Sequence, residues 1–286
     1  MIRSYLFVPG DSERKLAKGL TNPADALIID LEDAVAPSNK DAGRQLTAQF
    51  LTGQWNARAR LWVRVNAFVT GLTESDLAAV AAQRPAGIVL PKCDGIEHVE
   101  RLAHQLEALE SAHQLPPGSL RIIGIVTETA ASVLNLPSLR GGHPRLAGIM
   151  WGAEDLAADL ASAGNRDATG EFAEPFRVAR SLCLFAAKAA GVEAIDTVFT
   201  DIRNLAKLEL ETTAARAMGF DSKAAIHPDQ VAIINRVYTP GVDELAWAKR
   251  VVAAFAAKPG VGVVRLDDQM VDQPHLKHAR RLLGQA

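Results

Sequence analysis

Residues 87–128 read GIVLPKCDGIEHVERLAHQLEALESAHQLPPGSLRIIGIVTE, and their pattern decides the fold. The stretch opens on a short apolar run, Gly87–Leu90. In Ile96–Leu109 the apolar residues Ile96, Val99, Leu102, Ala103 and Leu106 then recur at helical spacing. Pro116, Pro117 and Gly118 break that pattern, and Arg121–Val126 is a second, nearly continuous apolar run. Two strands apolar on both faces, joined by an amphipathic helix, make a parallel unit covered by helices.

The pattern repeats on both sides. Further strands are expected at Ser4–Val8, Ala26–Leu31, Leu61–Val65, Leu146–Trp151, Ala194–Phe199 and Lys223–Ile226, with helical segments such as Phe176–Ala190 between them. Eight such units favour a closed α/β TIM (β/α)8 barrel over residues 1–240 rather than an open doubly wound sheet. Asp11 and Ser12 suit the N-cap of a first helix, and Thr73 ahead of Glu74 and Asp76 suits another. Residues 241–286 follow the eighth strand. They hold a helical pattern, the strand-like Val261–Leu266 and a last helix from Pro274 to Leu283. This C-terminal helical extension is expected to pack on the barrel or on a neighbouring subunit.

The chain has 286 residues, 48% of them hydrophobic, which is enough for a sizeable core without covalent staples. Cys93 and Cys183 are too few for a disulfide framework, so a reducing cytoplasmic setting is expected. A net charge of −2 gives no reason to expect nucleic acid or an anionic membrane as partner. The first apolar run ends at Pro9-Gly10, too early for a secretory signal, and no later run approaches the ~18 apolar residues of a membrane span.

In such a barrel the C-terminal strand ends converge on one face. Here they carry Glu32 and Asp33, Arg64 and Asn66, Lys92, Glu128, Glu154 and Asp155, Asp201 and His227. Glu128 and Asp155 end adjacent strands, roughly 5 Å apart. Two carboxylates that close repel unless a proton or a cation lies between them. Hard oxygen donors without neighbouring His or Cys favour Mg2+, or Mn2+, over zinc. The plainer alternative is that each acid caps a helix or pairs with Arg64, and Glu154 is a second candidate ligand. Arg64 suits an anionic substrate group or an enolate oxygen; its structural alternative is an ion pair with Glu32 or Asp33. Lys92 raises a Schiff-base alternative, which a carboxylate-held metal makes redundant. Lys15 and Lys18, behind the Pro9-Gly10 turn, are weak phosphate candidates.

Several motifs stand together in order: RSYLFVPG (3–10), DLEDAV (30–35), RVN (64–66), LPK (90–92), TETA (127–130), GAEDLAADL (152–160), AIHP (225–228) and MVD (270–272). On these the chain resembles the citrate lyase β-subunit-like branch of the HpcH/HpaI aldolase superfamily over nearly its full length. The resemblance implies a Mg2+-dependent lyase acting on citryl, malyl or citramalyl thioesters, giving a keto acid and an acyl-CoA. It matches Glu128 and Asp155 to the metal ligands, and Arg64 to the substrate-binding arginine. It also matches Asp272 to an acid that reaches a neighbouring subunit's site, and raises Lys15 as a contact to the CoA side. Glu32 and Asp33 join Arg64, Glu128 and Lys15 as the substrate-binding set. The resemblance further implies a homo-oligomer, a trimer or a hexamer.

One departure concerns the rim. Many relatives carry Asp-x-x-Asp after the seventh strand with a glycine three residues on. This chain has DIRN at 201–204 and Lys207, which puts substrate choice in doubt. Two other functions stay open: the β subunit of a citrate lyase complex acting on an acyl carrier protein, and a regulatory relative that binds acyl-CoA without turnover.

Overall fold

The computed structural model describes residues 2–54, 57 and 60–285. Eight parallel strands close into a barrel in chain order, with the last paired to the first. The order opens β1 (Ser4–Pro9), α1 (Glu13–Thr21), β2 (Ala26–Asp30), α2 (Lys40–Thr52), β3 (Leu61–Arg64), α3 (Thr73–Val80) and β4 (Gly87–Leu90). It continues α4 (Ile96–Ala112), β5 (Arg121–Ile125), α5 (Ala130–Asn135), β6 (Leu146–Met150), α6 (Glu154–Asp159) and α7 (Glu174–Ala190). The barrel closes with β7 (Glu193–Asp196), α8 (Leu205–Met218), β8 (Ser222–Ala225) and α9 (Pro228–Tyr238).

The two-residue period of the strands sorts their side chains into two cores. Tyr5, Ala26, Ile28, Trp62, Val89, Ile123, Met150, Ile195 and Ala224 fill the barrel interior. Leu6, Leu27, Ile29, Val63, Ile88, Leu90, Ile122 and Ala225 face outward and bury against the helices. That double burial explains why the strands read as unbroken apolar runs. Ser12 precedes α1 without a side-chain cap bond, and Thr73 instead lies inside α3, its hydroxyl donating to the Asn66 carbonyl.

The floor of the barrel is tied by a buried ion pair. Glu110 of α4 accepts two bonds from Arg145, at 2.8 and 2.7 Å, and one from each backbone N–H of Gly118 and Leu120. Burial alone would raise this carboxyl, but Arg145 and the backbone donors override it and hold it at about 2. A carboxyl depressed in the folded state contributes stability above its unfolded pKa and loses it as pH falls through the folded one. The contribution is therefore full at pH 7 and fades between about pH 5 and pH 2. Glu110→Gln is expected to cost on the order of 2–3 kcal/mol at pH 7 and progressively less toward pH 3. Urea midpoints at both pH values measure it, and an unchanging difference would sink the assignment.

The chain divides into two compact units, Met1–Tyr238 and Thr239–Ala286. In the second, α10 (Val242–Ala256) and α11 (Gln273–Leu282) accompany an antiparallel pair, β9 (Val263–Leu266) and β10 (Gln269–Asp272). Ala248, Val251, Phe255, Val264, Val271, Leu276 and Ala279 form its own small core. The expected helical extension thus contains a hairpin as well, turning at Asp267, whose φ is +55°.

Candidate active site

A cavity of about 370 Å3 opens at the C-terminal ends of the strands. Its lining follows from strand parity: Asp30, Arg64, Ile125 and Met150 are the last inward-facing residues of their strands, and Phe7 and Pro9 share the inward face of β1. Gly10 lets the first loop come close, because a Cβ there would lie 2.7 Å from Thr47 Oγ1 and 2.9 Å from the Asp30 carbonyl.

Asp30 and Arg64 are register partners on neighbouring strands. Arg64 donates from Nε and Nη2 to the two Asp30 oxygens, each at 2.7 Å, a bidentate geometry that fixes the guanidinium plane. Burial would raise the Asp30 carboxyl, yet the Arg64 charge beside it holds it below the usual carboxylate range. Arg64 Nη1 also lies 3.0 Å from Glu32 and 3.7 Å from Asp33. The expected pairing with Glu32 or Asp33 therefore exists but is secondary, and Asp30 is the partner that sequence reading missed. Its signal was there: Asp30 sits two residues beyond the inward Ile28. Phe7 covers the guanidinium, with 4.9 Å from its ring centre to Arg64 Cζ.

Glu128 is 3% exposed, and the carboxyl of Asp155, the second residue of α6, neighbours it. Burial, the Asp155 carboxyl and the nearby Glu32 charge push the Glu128 carboxyl well above its ordinary value. Gly152 makes room for it, since a Cβ there would lie 2.7 Å from Glu128 Cγ. Thr127 ties the two strand ends together, accepting from the Gly152 N–H at 3.0 Å. Lys92 takes the left-handed backbone, φ +48°, which aims its N–H at Glu128. Its ammonium bonds Glu32 at 2.8 Å and lies 3.6 Å from Asp155. Glu32 is thus held between Arg64 and Lys92, with burial raising its carboxyl and one buried oxygen left without a hydrogen bond.

Two neighbouring carboxyls repel unless a proton or a cation lies between them. Among the described residues no group of three or more His, Cys, Asp or Glu is assembled to hold a metal. An all-oxygen pair with open positions fits Mg2+, which keeps water and substrate ligands, and does not fit a closed zinc site.

Lys15 is exposed on α1 and does not line the cavity. Asp272 caps α11 in the second unit, where His275 Nδ1 lies 2.5 Å from its Oδ1. Asp33 and Glu154 line the cavity, Glu154 accepting from Asn165 at 2.8 Å. His227 Nδ1 accepts from the Asp229 N–H at the start of α9. Cys93 is fully buried, and burial pushes its thiol up to about 12, which leaves it unreactive. At the rim, Asn204 caps α8 by accepting from the Lys207 N–H, and the Lys207 ammonium bonds Glu171. The departure noted in the sequence is therefore a cap and an ion pair that join α8 to the loop ahead of α7.

Sequence reading also missed the buried ring behind β6 and β7. Asp196 accepts from Trp151 Nε1 at 2.7 Å, from Arg180 at 3.1 Å and from Lys223 at 2.7 Å. Trp151 immediately precedes Gly152, so this network fixes the origin of the loop that carries Asp155.

A guanidinium and a carboxylate pair line one cavity at the C-terminal mouth of a closed (β/α)8 barrel, the face on which barrel enzymes carry their active sites. Residues 3–228 match the HpcH/HpaI aldolase/citrate lyase family, and residues 172–286 match the C-C bond lyases of the TIM-barrel fold. The chain belongs to the HpcH/HpaI aldolase/citrate lyase family. It is 35% identical over 287 residues to a (3S)-malyl-CoA thioesterase of Cereibacter sphaeroides, covering 99% of this chain and 94% of that protein. It is 34% identical to the citrate lyase subunit beta of Escherichia coli K12, covering 99% and 93%. Among solved structures it is similar to CitE of Mycobacterium tuberculosis in complex with magnesium, acetoacetate and coenzyme A. There the TM-score is 0.77 at 34% identity, covering 99% of this chain and 97% of that one. The citrate lyase beta subunit of the same organism, complexed with oxaloacetate and magnesium, aligns with a TM-score of 0.69 at 33% identity, covering 83% and 96%.

Proposed function

We propose that this chain is a Mg2+-dependent carbon–carbon lyase that cleaves, or in reverse forms, a 3-hydroxyacyl thioester of coenzyme A carrying a carboxylate. The observation that carries the reading is the Glu128–Asp155 carboxyl pair facing the Asp30-held Arg64 across one small cavity. Glu128 and Asp155 would hold the metal, with Mn2+ as the substitute of matching chemistry. Mg2+ in that position supplies Lewis acidity that lowers the pKa of a substrate hydroxyl.

The chain's own residues account for the rest. The hydroxyl proton passes to solvent water as the adjacent C–C bond breaks. The hydroxyl carbon becomes the carbonyl of a keto acid, and the bond's electron pair passes to the thioester enolate. Asp30 takes two of the five Arg64 N–H groups, leaving others to stabilise the enolate oxygen. Glu32 and Asp33 border the guanidinium and help set its direction, and Lys15 is the contact to the CoA side. Asp272 of a neighbouring subunit protonates the enolate carbon, in a homotrimer or hexamer whose C-terminal extension contributes to the assembly. Among the described residues no helix is long and apolar enough to cross a membrane. The two cysteines, both free and buried, suit a reducing cytoplasmic setting.

The test is mass spectrometry of the purified protein with Mg2+ and citramalyl-CoA, malyl-CoA or citryl-CoA. Cleavage without partner proteins supports the reading. Turnover confined to carrier-protein thioesters assigns the chain to a citrate lyase complex, and tight binding without turnover makes it a regulator. Release of free CoA thiol would place it with the malyl-CoA thioesterases. Gly152→Ala is expected to weaken Mg2+ binding roughly 10–100-fold by displacing Glu128, with the fold intact. Calorimetric titration of Mg2+ measures it, and wild-type affinity would remove Gly152 from the site's design.

A further inference from the structure

Resting on the metal-site reading, we propose that Asp196, Arg180 and Lys223 are positioning residues that act through Trp151 to hold the Glu128–Asp155 pair in place for its cation. Met150, Ile195 and Ala224 face the barrel interior. Their chain neighbours Trp151, Asp196 and Lys223 therefore point outward, into the layer between barrel and helices, and none is more than 1% exposed. Asp196 and Lys223 are register partners, and Arg180 reaches them from α7. Three charges stand where hydrocarbon would stabilise the fold as well or better, so stability alone does not explain them. What they supply is direction.

Asp196 Oδ1 accepts from the Trp151 indole at 2.7 Å and from Arg180 Nε at 3.1 Å, while its Oδ2 accepts from Lys223 at 2.7 Å. Phe172 meets the indole edge-on, with 5.0 Å between ring centres. The ring is held on two sides. Lys223 also donates to the Thr197 carbonyl at 2.7 Å, so the same ammonium fixes the cavity wall where β7 ends. From Trp151 the chain runs on to Asp155 through Gly152, which the Thr127 hydroxyl clamps from the other side. Thr127 itself precedes Glu128. Both carboxyls are thus mounted from behind, and the repulsion that would splay a loose loop is left for the cation to relieve.

Trp151→Phe keeps a ring and removes the indole N–H. Lys223→Met keeps the length and removes the charge, leaving Asp196 paired with Arg180. Calorimetric titration should show Mg2+ affinity lowered roughly 10–100-fold in the first and at least about threefold in the second, the scale for losing a group behind a metal ligand. Should one variant fail to fold, the other decides. Glu110→Gln breaks a buried ion pair at the barrel floor, controls for mere destabilisation, and should bind Mg2+ like the parent. Excess Mg2+ is expected to restore most of the cleavage lost by Trp151→Phe, since the reacting groups are intact. Parent-like Mg2+ affinity in either folded variant, or an equal loss in Glu110→Gln, overturns the proposal. A parent that takes up no Mg2+ overturns it together with the metal site, whereas a parent that binds Mg2+ but cleaves no thioester ends the lyase reading alone.

Discussion

Glu128→Gln is expected to lower Mg2+-dependent thioester cleavage at least about a thousandfold, the scale of losing several kcal/mol of charge stabilisation in the transition state. The fold is expected to survive. Glu128 is buried against Asp155 and near Glu32, so its charged form is disfavoured until a cation arrives. A neutral amide of the same shape removes that repulsion, and the variant's Tm without metal should equal or exceed that of the parent. Mg2+ should raise the parent's Tm and leave the variant's unchanged, because a ligand stabilises only the state that binds it. Asp155→Asn is expected to act in the same direction. Parent activity that persists in EDTA, or a glutamine variant that cleaves at the parent rate, would falsify the metal assignment.

The second large effect belongs to Arg64. Arg64→Lys keeps the charge but loses the planar fork, and an ammonium cannot reproduce the paired 2.7 Å bonds to Asp30. Cleavage is expected to fall about 100–1000-fold, the range for removing one donor from a developing oxyanion. The fall should appear in kcat and kcat/KM together, since the interaction strengthens only as the enolate forms. Asp30→Asn is expected to show a smaller loss with the same signature, because it loosens the guanidinium without removing it. An Arg64→Lys enzyme within threefold of the parent would reduce Arg64 to a structural ion pair.

The barrel was legible because each strand is buried on both faces and therefore reads as an uninterrupted apolar run. Its boundaries were less so. Ala194–Phe199 was expected as the seventh strand, but the ladder covers Glu193–Asp196 and the chain leaves it at Thr197. Hydrophobicity continues past that point because Phe199 is buried outside the ladder. Glu128, Asp155 and Arg64 could be placed from strand ends alone. Asp30 needed one step more: the two-residue period from Ile28 turns it inward, but its pairing with Arg64 is a matter of register across two strands. Asp196 and Lys223 were hidden for a similar reason: their partners Trp151 and Arg180 come from distant segments. In the second unit the expected strand-like Val261–Leu266 contains β9, but its partner β10 was not read, because with Met270 exposed it lacks the alternation that marks a half-buried strand.

Lys92 has a consequence for anyone selecting stabler versions of this enzyme. A side chain other than glycine in the left-handed region costs about 1 kcal/mol, and Lys92 sits there at φ +48°. Glycine at position 92 would relax the backbone, but it would also delete the ammonium that bonds the buried Glu32 and stands near Asp155. Stripping a buried carboxylate of a partner costs more than relief of the strain gains, so heat resistance and turnover select for the same lysine, and a purely thermal screen would retain it.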